Sequence, residues 1–139
     1  VGDSRQGLHG WPPVVFKMNA RELGALTGAA VESLDEVRGA CASLAARNGH
    51  PAFVTLAERG MVGALASGEA EHVPSLPIRG AIDIVGAGDA VTANLTAALA
   101  AGALLREAME LAMAAASIVI HQLGTTGTAS VAQIRERLS

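Results

Sequence analysis

Residues 82–105 read IDIVGAGDAVTANLTAALAAGALL, and this stretch limits what the chain can become. A β-branched run breaks at Gly86-Ala87-Gly88, a carboxylate follows at Asp89, and no further charge appears until Arg106. With Asn94, two threonines and Gly102 inside it, the uncharged run from Ala90 to Leu105 falls short of the ~18 apolar residues of a membrane span. It reads instead as a buried helix from the glycine motif to about Ala101. Gly102 breaks it, and a second helix with apolar residues on most faces runs from about Leu105 to His121. Two such helices must lie against a sheet or against each other.

The rest of the chain supplies the sheet. Val14 to Met18 is an apolar run of strand length that stops at Asn19. Asn19 is a good N-cap with Glu22 three positions on, so NARELGALTG reads as a short helix closed by Gly28. Ser33 and Glu36 repeat the arrangement for a second helix that ends at Gly49. Pro51 to Leu56 is a second buried-type strand, ERG is a turn, and MVGALASGEAEHVP has the form of a hairpin with Ser67-Gly68 at its tip. A further short strand is expected near Ile78 to Ile82. GTTGTAS is a loop, and Ser130 opens a terminal amphipathic helix. Strands alternating with helices argue for a layered α/β domain with a largely parallel sheet. No internal repeat, low-complexity tract or interdomain linker is visible.

Composition removes several classes of function. A net charge of −3, a single lysine at Lys17 and scattered arginines give no basic stripe for a phosphate backbone. Without tyrosine, and with only Trp11, Phe16 and Phe53 as aromatics, there is no platform for stacked bases. Neither nucleic acid nor a membrane is an expected partner. The lone Cys41 falls in a helical pattern, reads as a small buried apolar residue and suits a reducing cytosol. His9, His50, His72 and His121 lack metal-ligand spacing. Ser117 and Ser130 have no visible histidine-acid arrangement of a hydrolase. Lacking an initiator methionine, the chain reads as part of something longer.

The glycine turn admits several readings. A dinucleotide fingerprint starting at Gly86 and Gly88 needs a small residue where Val91 stands, and a Walker loop needs a lysine before Ser or Thr. A third reading takes the amides of Gly86, Ala87 and Gly88 as a concave donor set for a transferring phosphoryl group, with Asp89 facing the acceptor hydroxyl as base. The plain alternative is a tight strand-to-helix connection whose aspartate merely complements the helix dipole. Spacing alone leaves both open.

Four segments taken in order, FKMNARELGALTG, VTLAERG, DIVGAGDAVTAN and AAASIVIHQLGTTGTAS, resemble the second half of the ribokinase-like (PfkB) carbohydrate kinases, from about Asp3 onward. The opening DSR and closing LGTTGTAS look most like the heptose-7-phosphate kinase branch. The resemblance implies a three-layer ribokinase-like fold with a mostly parallel central sheet. Residues 1–139 would form its C-terminal nucleotide-binding and catalytic portion, with the N-terminal sugar-binding and lid portion absent. It implies ATP-dependent phosphorylation of a hydroxyl on a sugar or sugar phosphate in the cytoplasm. Asp89 would be the base and Gly86, Ala87 and Gly88 the anion hole. Asn19 and Glu22 match an N-x-x-E motif that arranges Mg²⁺ and the phosphates, with Glu22 reaching the metal partly through water. Thr55 and Gly60 match the T-x-G-x-x-G nucleotide segment. Asp83 matches the residue that braces the glycine loop and, in many relatives, lies near a monovalent-cation site; a homodimer is compatible with the resemblance.

The chain also departs from that pattern. Met18 replaces a usual proline, Ala57 the first glycine of the nucleotide segment, and Ile84 a usual threonine or serine, while Asn94 takes the place of a small residue. With the sugar-binding and lid portion absent, the portion given is expected to be inactive alone. A noncatalytic nucleotide-binding or assembly module with the same fold is the competing expectation, and a dehydrogenase is a distant third.

Overall fold

Two reciprocal caps organise the first part of the chain. In the computed structural model, which describes residues 1–139, Asn19 Oδ1 accepts the Glu22 amide at 2.8 Å and Glu22 Oε2 accepts the Asn19 amide at 2.8 Å. The cap turns β1 (Phe16–Asn19) directly into α1 (Ala20–Thr27), which Gly28 ends in the left-handed conformation. Ser33 and Glu36 do the same for α2 (Leu34–Asn48), closed by Gly49. The backbone amide of Ser33 stabilises the charged Glu36 carboxylate and holds its pKa below the usual value.

The chain divides into two compact units, Val1–Pro74 and Ser75–Ser139. In the first, α1 and α2 form the crossover from β1 to β2 (Ala52–Thr55), and the two strands pair parallel with Asn19 opposite Thr55. β3 (Met61–Ala64) and β4 (Ala70–Val73) complete the order β1-β2-β3-β4. A parallel return needs a long crossover, and only β1 to β2 has one. The short connections 56–60 and 65–69 force antiparallel returns, so this part of the sheet is mixed, not mostly parallel as expected. Parallel pairing does continue at the outer edge of β1, where Gly2 bridges Phe16. Beside that bridge, Lys17 Nζ lies 3.0 Å from Asp3 Oδ2, which pairs the largely buried ammonium.

Phe16, Met18, Ala52, Val54, Val62 and Ala64 face Val37, Cys41 and Leu44 of α2 in one buried cluster, the two-residue period of a strand meeting the stripe of a helix. The hairpin tip falls at Ser67-Gly68 as expected, with the Leu65 amide bonded to Glu69 O at 2.8 Å.

The second unit is helical, comprising α3 (Ala87–Ala100), α4 (Leu105–Ile120) and α5 (Val131–Leu138). α4 packs against both of the others. Ala114 and Ala115 of α4 and Ile134 of α5 form a small core with Leu76 against it. The strand expected near Ile78 to Ile82 does not form. All four strands belong to the first unit, so this segment has no ladder within its own unit to join. Its amides bond to the end of α4 instead: Arg79 N–H to His121 Nε2 at 3.2 Å and Asp83 N–H to Ile120 O at 2.7 Å. No helix is long and apolar enough to cross a membrane.

Cys41 is fully buried, its thiol 3.4 Å from Ala52 O, and burial pushes its pKa up to about 12. The thiolate is the reactive form, so alkylation of the native protein should be negligible at pH 8 and should appear only as the chain unfolds in denaturant. Rapid labelling under native conditions would contradict this packing.

Candidate active site

The expected site residues fall into two groups, each built within one unit. In the first unit Asn19 and Thr55 end adjacent parallel strands, the position at which open α/β sheets carry ligands. Thr55 Oγ1 donates to Met18 O at 3.4 Å, fixing the two strand ends to each other. Glu22 lies one helical step beyond Asn19, with Oε2 in the cap and Oε1 making no hydrogen bond within the chain. Gly60 follows on the turn after β2.

That turn is the most constrained piece of backbone in the chain. Ala57 has φ 52°, the one non-glycine residue in the left-handed region. It stands where the related segment calls for glycine. A side chain there costs roughly 1–2 kcal/mol. Gly60 has φ 91°, and a Cβ placed on it would lie 2.1 Å from Val73 O and 2.7 Å from the Pro74 backbone. Glycine is required at 60 by both conformation and space; at 57 it is merely preferred.

The second group is the glycine turn at the start of α3. Gly86 caps the helix at φ 86°, and a Cβ there would meet the Thr126 methyl at 3.3 Å. The Ala87 amide is engaged with Ile84 O at 3.2 Å, whereas Gly88 and Asp89 open the helix, where amides have no intrahelical acceptor. The local dipole and these donors make the turn attractive to an anion.

The two aspartates of the stretch have separate environments. Asp83 Oδ1 accepts the Val85 amide at 3.0 Å and Oδ2 the Gly124 amide at 3.4 Å, so this carboxylate ties the turn to the loop after α4. Asp89 is exposed, and its carboxylate makes no hydrogen bond or ion pair within the chain. Ile84 and Val85 stand in water beside it, 73% and 61% exposed. Asn94 donates back to Ala90 O at 2.9 Å inside α3, a helix-internal contact with no link to the turn. No group of three or more His, Cys, Asp or Glu side chains is arranged to hold a metal.

Sequence reasoning missed the residues that hold the 57–60 turn. His72 Nε2 donates to Arg59 O at 2.6 Å, and Arg59 Nη1 donates to Glu32 O at 3.1 Å. No spacing rule announces them, because the pairs are 13 and 27 positions apart.

Comparison with known proteins gives one consistent result. The profile of the pfkB family carbohydrate kinases matches residues 10–132. The bifunctional protein HldE of Paramagnetospirillum magneticum is 44% identical over 112 residues, covering 80% of this chain and 23% of that protein. HldE of Bradyrhizobium sp. is 34% identical over 125 residues, covering 89% of this chain and 25% of that protein. The chain thus spans about a quarter of the curated relatives it matches. Among solved structures, Arabidopsis thaliana ribokinase complexed with ribose and ATP superposes with a TM-score of 0.81 at 24% identity, over 91% of this chain and 41% of that one. Escherichia coli phosphofructokinase-2 in complex with substrates and products gives 0.77 at 27% identity, over 88% and 39%. The ribokinase-like α/β fold read from the sequence is the fold these structures share.

Two substitutions test the local geometry by chemical denaturation. Gly60→Ala should destabilise the protein by several kcal/mol, because both φ and the Val73 carbonyl oppose a methyl group. Ala57→Gly should stabilise it by roughly 0.5–1 kcal/mol by relieving the left-handed strain, less the greater chain entropy of glycine. Opposite signs at two positions three residues apart distinguish this geometry from a generally tolerant loop.

Proposed function

The chain belongs to the pfkB family of carbohydrate kinases, and from that premise we propose that it is the nucleotide-binding and catalytic portion of an enzyme that phosphorylates a sugar or sugar phosphate hydroxyl with ATP. The observation that carries this reading is the unpartnered carboxylate of Asp89, one residue past the glycine pair at the start of α3. Asp83, by contrast, is committed to two backbone amides. Asp89 has the exposure and the freedom that a base needs.

In the proposed reaction the acceptor oxygen forms a bond to the γ-phosphorus, the bridging bond to ADP breaks, and the hydroxyl proton passes to Asp89. The amides at the helix start stabilise the charge on the transferring group, with Gly86, Gly88 and Asp89 the available donors and Ala87 already engaged. Asn19, Glu22, Thr55 and Gly60 form the nucleotide side of this reading. Mg²⁺ suits Glu22, since it retains water and binds through one or two carboxylates together with substrate phosphates. When bound it would offset the phosphate charge. Of the two roles suggested for Asp83, its hydrogen bonds support that of loop brace.

The relatives named HldE, together with the DSR and LGTTGTAS segments, favour a phosphorylated sugar as acceptor. Because the chain spans about a quarter of those relatives, the groups that hold the sugar are assigned to the remainder of the polypeptide, and residues 1–139 alone are inactive in this reading. A noncatalytic nucleotide-binding module is the second reading, favoured by the strained Ala57 and the exposed Ile84.

The decisive substitution is Asp89→Asn in the full-length protein. Turnover should fall by about three orders of magnitude while ATP affinity changes little. Near-normal turnover would remove Asp89 from the mechanism. Nucleotide binding by the unmodified full-length protein, with no ATP consumption across a panel of sugars and sugar phosphates, would establish the noncatalytic reading.

A further inference from the structure

The strained turn at 57–60 needs an explanation for its persistence. A left-handed alanine survives only where surrounding contacts leave the chain no alternative. Within the turn, Arg59 N–H donates to Leu56 O at 3.0 Å, Gly60 N–H to Ala57 O at 3.1 Å, and Leu56 N–H closes the two ends on Gly60 O at 2.8 Å. The first two form equally well without a positive φ. A further restraint comes from outside the turn.

It comes from three successive residues at the end of β4. Val73 O and Pro74 lie against Gly60 so closely that no side chain fits between them. One residue earlier, the half-buried His72 reaches across with its imidazole, and Nε2 donates to Arg59 O at 2.6 Å. Arg59 in turn is fixed by its guanidinium to Glu32 O, just ahead of α2. The partner of Nε2 is a carbonyl and can only accept, so Nε2 carries the hydrogen whether the ring is neutral or charged.

We propose that His72 is a positioning residue for the nucleotide site. It locks the carbonyl of Arg59 so that the turn holds Ala57 in its left-handed conformation and presents its backbone to a nucleotide phosphate. The inference rests on the reading that this turn lines the nucleotide site. His72 itself touches neither nucleotide nor sugar.

The experiment compares three variants of the full-length protein, with folding monitored by circular dichroism. His72→Ala removes the donor, and His72→Asn keeps an amide too short to reach Arg59 O. His72→Gln places an amide nitrogen near the position of Nε2. Loss of one such hydrogen bond should raise KM for ATP about fivefold to tenfold in the Ala and Asn variants, with kcat and the KM for sugar within about twofold of the unmodified protein. The Gln variant should recover most of the ATP affinity. An unchanged KM for ATP in the Asn variant, or equal loss in Asn and Gln, would overturn the inference; should His72→Ala fail to fold, the Asn and Gln pair still decides. If the unmodified protein consumes no ATP, the kinase reading fails, and calorimetric ATP affinities of the same variants then judge the positioning role by itself. Absence of any nucleotide binding overturns both.

Discussion

The parallel pairing of β1 with β2 is the contact on which the remaining geometry of the first unit depends. It sets Asn19 level with Thr55, so that a helix cap and a strand-end hydroxyl meet at one edge of the sheet. The pairing is possible because α1 and α2 together form a crossover long enough to bring the chain back in the same direction. Once β2 is placed, the five-residue connection at 56–60 can only reverse direction, and the tight turn that results holds Ala57 and Gly60. A potential ligand site thus arises where a long connection is followed by a short one.

The separate treatment of two carboxylates does the same for the second unit. Asp83 satisfies two amides and joins the glycine turn to the loop after α4. The other, Asp89, is exposed at a position where the helix dipole favours negative charge. Two aspartates only six positions apart thus stand in opposite environments, one committed to amides and one open to water.

Much of this was legible in the sequence because it is local. Both capping boxes, the closing glycines Gly28 and Gly49, the hairpin tip and the break at Gly102 follow from residues within four positions of one another. The hairpin was legible too, and with it one antiparallel pairing; the connections 56–60 and 65–69, too short for parallel strands, make this part of the sheet mixed where a largely parallel one was expected. The missing strand near Ile78 was misjudged for a separate reason. Its β-branched composition is correct for a strand, but a strand also needs a neighbouring edge, which composition does not report. The contacts of His72 and Arg59 lay beyond reach because they join positions that only the folded sheet brings together.

The segment from Leu76 to Val85 has one more consequence. It bears Ile78, Ile82, Ile84 and Val85, all exposed, β-branched residues of the kind that stack into intermolecular cross-β ribbons. Yet Pro77, Arg79, Gly80 and Asp83 interrupt it, so that no six consecutive residues are apolar and free of a breaker. Proline removes a ladder donor, and the two charges would stack on like charges in a register-matched fibril. The same interruptions that keep the segment from being a regular strand act as gatekeepers of solubility. Asp83 therefore contributes to colloidal behaviour as well as to the shape of the turn, independently of any reaction.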